Sequence, residues 1–156
     1  KERQMSAASA PPQHFRQLER MYGAAPVNET IPSRLEVHQA KAEVYMSVGR
    51  QLWHSAHALH GSMYFKGLDD AAFFAAASIV QTHFVLTVRF EIELLDIVRC
   101  QQLRAVGRVE RREGRKIWAH SELFDDADKL VARGKGLFLI SDIALTSADG
   151  YGDATD

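Results

Sequence analysis

Hydrophobic and polar positions alternate with two different periods along this chain, and the switch between them outlines the expected elements. Residues 13–23 have helical spacing and end at a glycine, which predicts a short N-terminal helix. Residues 24–33 contain two prolines and predict a linker. Residues 34–48 alternate as in a strand, with an irregularity near residues 40–42. After a histidine-rich stretch, residues 61–81 predict the one long helix.

Four further segments alternate as strands and are separated by polar turns. They span residues 84–94, 102–112, 116–125 and 130–141. Their order predicts a four-strand antiparallel meander, and a single apolar helix needs a sheet to cover it. We therefore expect an α+β domain over residues 34–147. Residues 1–33 form an N-terminal extension, and residues 148–156 form a polar tail. The first twelve residues and the tail are expected to be mobile.

Composition restricts the classes of function. The 156 residues are enough for one domain with a sizeable core. The formal net charge of -1 argues against a nucleic-acid partner. Cys100 is the one cysteine, so no intrachain disulfide can form and a reducing compartment is expected. No apolar run has the length of a membrane span or of a signal-peptide core. We expect a cytoplasmic protein without membrane contact.

Two adjacent aspartates lie on the long helix. On a helical wheel of about 100° per residue, Leu68 and Ala72 belong to the stripe that faces the sheet. Asp69 lies at the edge of that stripe, while Asp70 points away and is expected to be an ordinary solvated carboxylate. A half-buried carboxylate is costly unless it has a partner or a chemical role. For Asp69 the pattern alone leaves both a salt bridge and a catalytic role open.

The stretch HGSMYFKGLDDAAFFAAAS at residues 60–78 resembles a known family motif. Hotdog thioesterases of the phenylacetate-pathway (PaaI) type carry His-Gly followed, nine positions after the histidine, by an acidic residue at the start of a small-residue helix. His60 and Asp69 have this spacing. FVLTVRFEIELL resembles the family's next strand, with Thr87 at the position of a hydroxyl residue. The resemblance covers about residues 34–141 and implies the hotdog fold, a curved antiparallel sheet wrapped around one long central helix.

The resemblance also implies an activity, hydrolysis of an acyl- or aryl-CoA thioester to a free acid and coenzyme A. Asp69 would be the nucleophile or general base, and the Gly61 N–H would polarise the thioester carbonyl. Thr87 would hydrogen-bond the water or the carboxylate, although a strand residue without a catalytic role remains an alternative. His60 is expected to shape the loop, and His54 replaces the Asn or Gln that orients carbonyl or water in the family.

Other departures from the family pattern concern the acyl group and the orientation of water. Ser62 stands where the family usually has a second glycine after His-Gly. His57 stands where a glycine is common three residues before the histidine. The histidines at 54, 57 and 60 recur at intervals of three, which invites a metal site, but no acidic or cysteine ligand joins them. We expect neither a metal nor a separate cofactor, because coenzyme A is part of the substrate.

The spacing of the two catalytic groups has a consequence for assembly. Gly61 and Asp69 are eight residues apart, about 12 Å along one helix. One carbonyl carbon has to lie close to both groups. Two helices from two subunits are therefore required, and we expect a homodimer or a dimer of dimers.

Three questions stay open from the sequence. A basic hairpin could bind the phosphates of coenzyme A or could be a solvated turn; its residues are Arg111, Arg112, Arg115 and Lys116. A hotdog dehydratase or hydratase is one alternative to hydrolysis. The other is a non-catalytic protein that binds acyl-CoA.

Overall fold

A computed structural model describes residues 9–152, in which a six-stranded antiparallel sheet wraps around one long helix. The helices are α1 (Pro12–Ala24), α2 (Val27–Thr30) and α3 (Gly61–Ser78). The strands are β1 (Ser33–His38), β2 (Lys41–Ser47), β3 (Trp53–His54), β4 (Ala58–Leu59), β5 (His83–Leu94), β6 (Gln102–Glu113), β7 (Lys116–Phe124) and β8 (Leu130–Ala144). None of the helices within residues 9–152 is long and apolar enough to cross a membrane. The expected mobility of residues 1–8 and 153–156 lies outside the described residues.

The strand order is β1-β2-β6-β7-β8-β5, and all neighbours are antiparallel. Strands β6, β7 and β8 form a meander as predicted. The prediction that β5 is the first strand of that meander is wrong, because β5 pairs with β8 at the sheet edge. Helix α3 crosses the sheet, so the chain enters β5 at the edge opposite to β1 and β2. Strand β5 thus has one unpaired side within residues 9–152.

Residues 33–47 form a hairpin, whereas the sequence predicts one irregular strand. Leu35 pairs with Val44 and Val37 pairs with Ala42. The chain reverses at Ala40, whose φ is 56°. This left-handed conformation is unusual for alanine, and no glycine, asparagine or proline marks the turn. The alternation of apolar residues continues on both sides of it, which explains why the pattern suggested a single strand.

Helix α3 touches the sheet almost backbone to backbone. A Cβ at Gly107 of β6 would overlap the carbonyl group of Ala71. A Cβ at Gly67 would come within 2.8 Å of the Met46 sulfur. Small residues at the contact therefore set how closely the helix can lie on β2 and β6. One hydrogen bond also crosses this interface, from Ser121 Oγ to the carbonyl oxygen of Leu68 at 2.7 Å.

Helix α1 forms where the sequence predicts a helix, and it packs along the β1 edge of the sheet. Leu18 is fully buried in the same apolar core as the sheet and α3. A carboxylate oxygen of Glu19 accepts a hydrogen bond from the N–H of Val37 at 2.8 Å. The guanidinium of Arg16 donates to the carbonyl oxygen of Val37 at 3.0 Å and pairs with Glu19. Side chains thus occupy the N–H and carbonyl groups of Val37, which an adjacent strand would otherwise use.

The described part of the tail is packed, so the expectation that it frays is wrong for residues 148–152. Tyr151 is buried, and its hydroxyl lies 2.8 Å from Nδ1 of the buried His14. The other ring nitrogen donates to the carbonyl oxygen of Ala77 at 3.0 Å, so Nδ1 accepts the tyrosine proton. Burial lowers the pKa of His14, which favours this neutral form. The sequence cannot foresee this contact because its partners are far apart in the chain.

Replacing Gly107 with alanine tests the close helix–sheet contact. The added methyl group has no room beside the Ala71 carbonyl, so α3 must move away from β6. We expect Gly107→Ala to lower the free energy of unfolding by about 2–3 kcal/mol in chemical denaturation. Gly23→Ala is the matched control, because its Cβ meets nothing within 4 Å and alanine favours a helix. Equal stability of the two variants would contradict the role given to Gly107.

Candidate active site

Asp69 of α3 is half-buried, as the helical wheel predicts for a residue at the edge of the stripe that faces the sheet. Thr87 of β5 donates a hydrogen bond from its hydroxyl to Asp69 Oδ1 at 2.9 Å. The sequence singled out both residues, and the structure brings them together although 18 positions separate them. Both side chains line a cavity of about 340 Å³. The second carboxylate oxygen has no hydrogen-bond partner within residues 9–152.

Burial raises the pKa of Asp69 to about 6 from its ordinary value of 3.8. The hydrogen bond from Thr87 works against this shift, and so does the positive charge of Lys66. The neighbouring carboxylate of Asp70 adds to it. A carboxyl group with a pKa near 6 is mostly ionised at neutral pH, yet basic enough to take up a proton.

Asp70 is not the solvated carboxylate that the helical wheel suggested. Its side chain is 19% exposed and forms an ion pair with Lys66, whose side chain is 12% exposed. The hydroxyl of Tyr22 in α1 donates to Asp70 Oδ2 at 2.8 Å. Burial, followed by the negative charge of Asp70, raises the pKa of Tyr22. The wheel failed here because α1 covers the side of α3 that points away from the sheet.

An irregularity in β5 accompanies the position of Thr87. The pairing of β5 with β8 shifts register between Thr87 and Arg89. Val88 lies within this bulge and is 58% exposed. Bulges bend a strand and reorient its side chains, which often happens beside active sites. No residue in the local sequence marks this bulge, so the sequence predicts Thr87 but not the bend that accompanies it.

The first turn of α3 begins at Gly61 with a histidine cap. His60 Nδ1 accepts a hydrogen bond from the N–H of Ser62 at 3.2 Å and lies 2.7 Å from the Ser62 hydroxyl. His60 therefore caps the start of α3, and its place in the site stays a prediction. No acceptor within residues 9–152 takes the N–H of Gly61. A free N–H at the positive end of a helix dipole attracts an oxyanion.

His54 belongs to the small β3–β4 hairpin. Its Nδ1 accepts a hydrogen bond from the N–H of Ala56 at 3.1 Å, which supports the turn. His54 and Gly61 line one depression together with Leu94, while Asp69 and Thr87 line a different cavity. One chain therefore holds Gly61 and Asp69 in two different depressions. Within the described part of the chain, no three His, Cys, Asp or Glu side chains cluster as metal ligands do.

The basic hairpin lies near the C-terminal end of α3, far from Gly61. Arg112 donates to the carbonyl oxygens of Gly114 and Ile79. Arg115 donates to the carbonyl oxygen of Ile140 and pairs with Asp142. Arg111 pairs with Glu113 and lies 3.5 Å above the Trp118 ring. Lys116 is exposed. These arginines already bind oxygen atoms of their own chain, and coenzyme A binding by the hairpin stays a prediction.

A comparison with family models matches residues 56–132 to the Thioesterase superfamily. The matched segment contains Gly61, Asp69 and Thr87. No curated protein sequence matches the chain.

Solved structures share the fold. The PaaI protein of the E. coli phenylacetic acid degradation operon superposes with a TM-score of 0.77 at 19% identity, covering 85% of this chain and 96% of its own. A thioesterase family protein from Silicibacter pomeroyi gives 0.75 at 21% identity, with coverage of 82% and 99%. A phenylacetic acid degradation-related protein from Ralstonia eutropha gives 0.71 at 20% identity, with coverage of 80% and 99%. The predicted hotdog fold is confirmed.

The hydrogen bond from Thr87 can be tested by titrating Asp69. We expect the Asp69 carboxyl to titrate with a pKa of about 6 in ¹³C NMR. Because the Thr87 hydroxyl stabilises the ionised form, Thr87→Val should move that pKa to a still higher value. Thr82→Val is the control, since Thr82 is exposed and its hydroxyl lies near His83. An unchanged or lower Asp69 pKa in Thr87→Val would contradict the assignment.

Proposed function

We propose that this chain, whose residues 56–132 match the Thioesterase superfamily, hydrolyses acyl-coenzyme A thioesters to a free acid and coenzyme A. One observation carries the proposal. A half-buried carboxylate, Asp69, is held by Thr87 and opens onto a mostly apolar cavity of about 340 Å³. The carboxylate supplies a base, and the cavity supplies space for an acyl group.

In the proposed reaction, Asp69 acts as the general base. Its free carboxylate oxygen accepts a proton from water while the water oxygen attacks the thioester carbonyl carbon. The C–S bond then breaks, and the leaving thiolate takes up the proton that Asp69 accepted from water, which gives coenzyme A and restores the carboxylate. The pKa of about 6 suits this role. Transfer of a protein oxygen to the product during a single turnover in ¹⁸O water would instead identify Asp69 as a nucleophile.

The Gly61 N–H is proposed to stabilise the tetrahedral oxyanion. Gly61 and Asp69 of one chain lie about 12 Å apart along α3, too far to act on one carbonyl. Each site would therefore combine Asp69 of one protomer with Gly61 of a second copy. His54, which shares the depression of Gly61, would border the same site from that second copy.

The outer edge of β5 supports such a pairing. Strand β5 ends the sheet, and nearby apolar side chains are exposed; they are Leu86, Val88, Leu94, Leu95 and Ile97. Exposed edges and apolar patches favour association. Gly61 is close to Leu94, and Thr87 lies about 23 Å away along the strand. Antiparallel pairing of two β5 strands would bring the Gly61 end of one chain towards Asp69 of the other.

Substituting the two neighbouring aspartates tests the catalytic assignment. We expect Asp69→Asn to remain folded and to lower the rate of thiol release from acyl-CoA at least about 100-fold, because asparagine cannot accept the proton. Asp70→Asn is the matched neighbour. It should change turnover little but lower the melting temperature, since Lys66 loses its ion-pair partner. A greater loss of turnover in Asp70→Asn than in Asp69→Asn would reverse the assignment.

Subunit mixing tests the shared site. Gly61→Pro removes the proposed oxyanion donor, and proline suits the first position of a helix. His60, with ψ of 138°, already has the extended conformation that precedes proline. Each single variant should be inactive. Mixing Gly61→Pro with Asp69→Asn should restore about a quarter of wild-type activity, because about half of the dimers are mixed and each has one intact site.

The mixing experiment needs two controls. Both variants have to be folded, shown by circular dichroism, and have to exchange subunits, shown by energy transfer between labelled copies. If activity then fails to return, Gly61 and Asp69 do not serve the same site from opposite subunits. Full activity of a monomer in analytical ultracentrifugation would contradict the shared site in the same way.

A further inference from the structure

The cavity beside Asp69 has a wall made by the N-terminal segment. Met21 belongs to α1 and Val27 belongs to α2, and both line the same cavity as Asp69. Helix α3 forms a second wall with Phe73, and β5 forms a third wall with Leu86. An acyl group whose carbonyl carbon lies at Asp69 would extend between these three walls.

Hydrogen bonds anchor this wall to α3 close to Asp69. The ammonium group of Lys66 donates to Asn28 Oδ1 at 2.9 Å and pairs with Asp70. Asn28 in turn donates from its side chain to the carbonyl oxygen of Tyr22 at 2.8 Å. The Tyr22 hydroxyl completes the connection through Asp70. The N-terminal segment is thus attached at the residue that follows the catalytic carboxylate, so the distance from Asp69 to the wall is well defined.

The remaining cavity surface is apolar. Phe73 and Phe84 contact each other with ring centroids 5.3 Å apart, and Met21, Val27 and Leu86 are among the other apolar residues that line the cavity. The polar side chains at this wall are occupied by one another. A polar substituent on the acyl group would lose its hydrogen bonds to water here. The polar side chains of the wall could not replace them, because they already bind one another. The volume of about 340 Å³ is at the small end of ligand cavities, which span about 300–1,000 Å³.

We propose that Met21 and Val27 determine acyl specificity, and that the preferred substrate carries a small or medium-sized apolar acyl group without a polar end. This inference rests on the proposed thioesterase activity and deepens it. The N-terminal segment then limits the length of the acyl group, because it closes the cavity on the side opposite to the sheet. Acyl groups that reach Val27 gain apolar contact with each added methylene, and longer ones collide with the wall.

The test compares kcat/KM across straight-chain substrates from acetyl-CoA to myristoyl-CoA. Val27 is 53% exposed, so Val27→Trp should fold normally while it narrows the cavity. We expect it to lower kcat/KM for the longest substrates that the wild type accepts by roughly 10-fold and to leave acetyl-CoA nearly unchanged. Met21→Ala removes three side-chain heavy atoms and should shift the optimum to longer chains. Glu29→Ala, exposed on α2, is the control and should keep the wild-type profile.

A second comparison tests the apolar lining. An acyl-CoA with a terminal methyl group should be hydrolysed roughly 10-fold more efficiently than its counterpart with a terminal hydroxyl group. If the wild type releases thiol but Val27→Trp and Met21→Ala keep its chain-length profile, the specificity role is wrong and the thioesterase activity stands. If the wild type releases thiol from no acyl-CoA, the proposed activity fails and this inference fails with it.

Discussion

The contact between α3 and the sheet at Gly107 is the constraint on which the other features depend. A helix that lies with its backbone against a strand has little freedom to slide or rotate, because any side chain at the contact would force it away. The hydrogen bond from Ser121 to the Leu68 carbonyl ties down the residue just before Asp69. The direction of the Asp69 side chain is therefore set by packing several residues away, and no direct ion pair to the carboxylate is needed.

The two adjacent carboxylates of α3 show how burial divides roles between similar groups. Asp70 has an ammonium group and a phenol as partners, while Asp69 has a single hydroxyl. The folded-state pKa of Asp69 is raised, so its protonated form favours folding. That contribution is present in acid and disappears as the pH rises through about 6. At neutral pH the ionised Asp69 opposes folding, and the packed helix offsets this cost.

The sequence predicted the elements whose periodicity is long and regular, and the residues that a helical wheel can orient. Helix α3, the strands β5 to β8 and the half-buried edge position of Asp69 belong to this group. The reversal at Ala40 and the edge location of β5 were missed, since turns without marker residues and strand order depend on pairing between distant segments. The burial of Asp70 was missed for a related reason, because Tyr22 covers it from another helix.

The two side chains that bind the backbone of Val37 also limit how the sheet can associate with other strands. Arg16 and Glu19 occupy backbone groups at the β1 edge, while the β5 edge is unpaired within residues 9–152. A sheet with two open edges can add copies without limit and grow into a fibre. A sheet with one blocked edge can join a single copy through the other, after which neither partner offers a free strand. In a dimer paired through β5, as proposed above, the N-terminal helix would therefore prevent further growth by strand pairing.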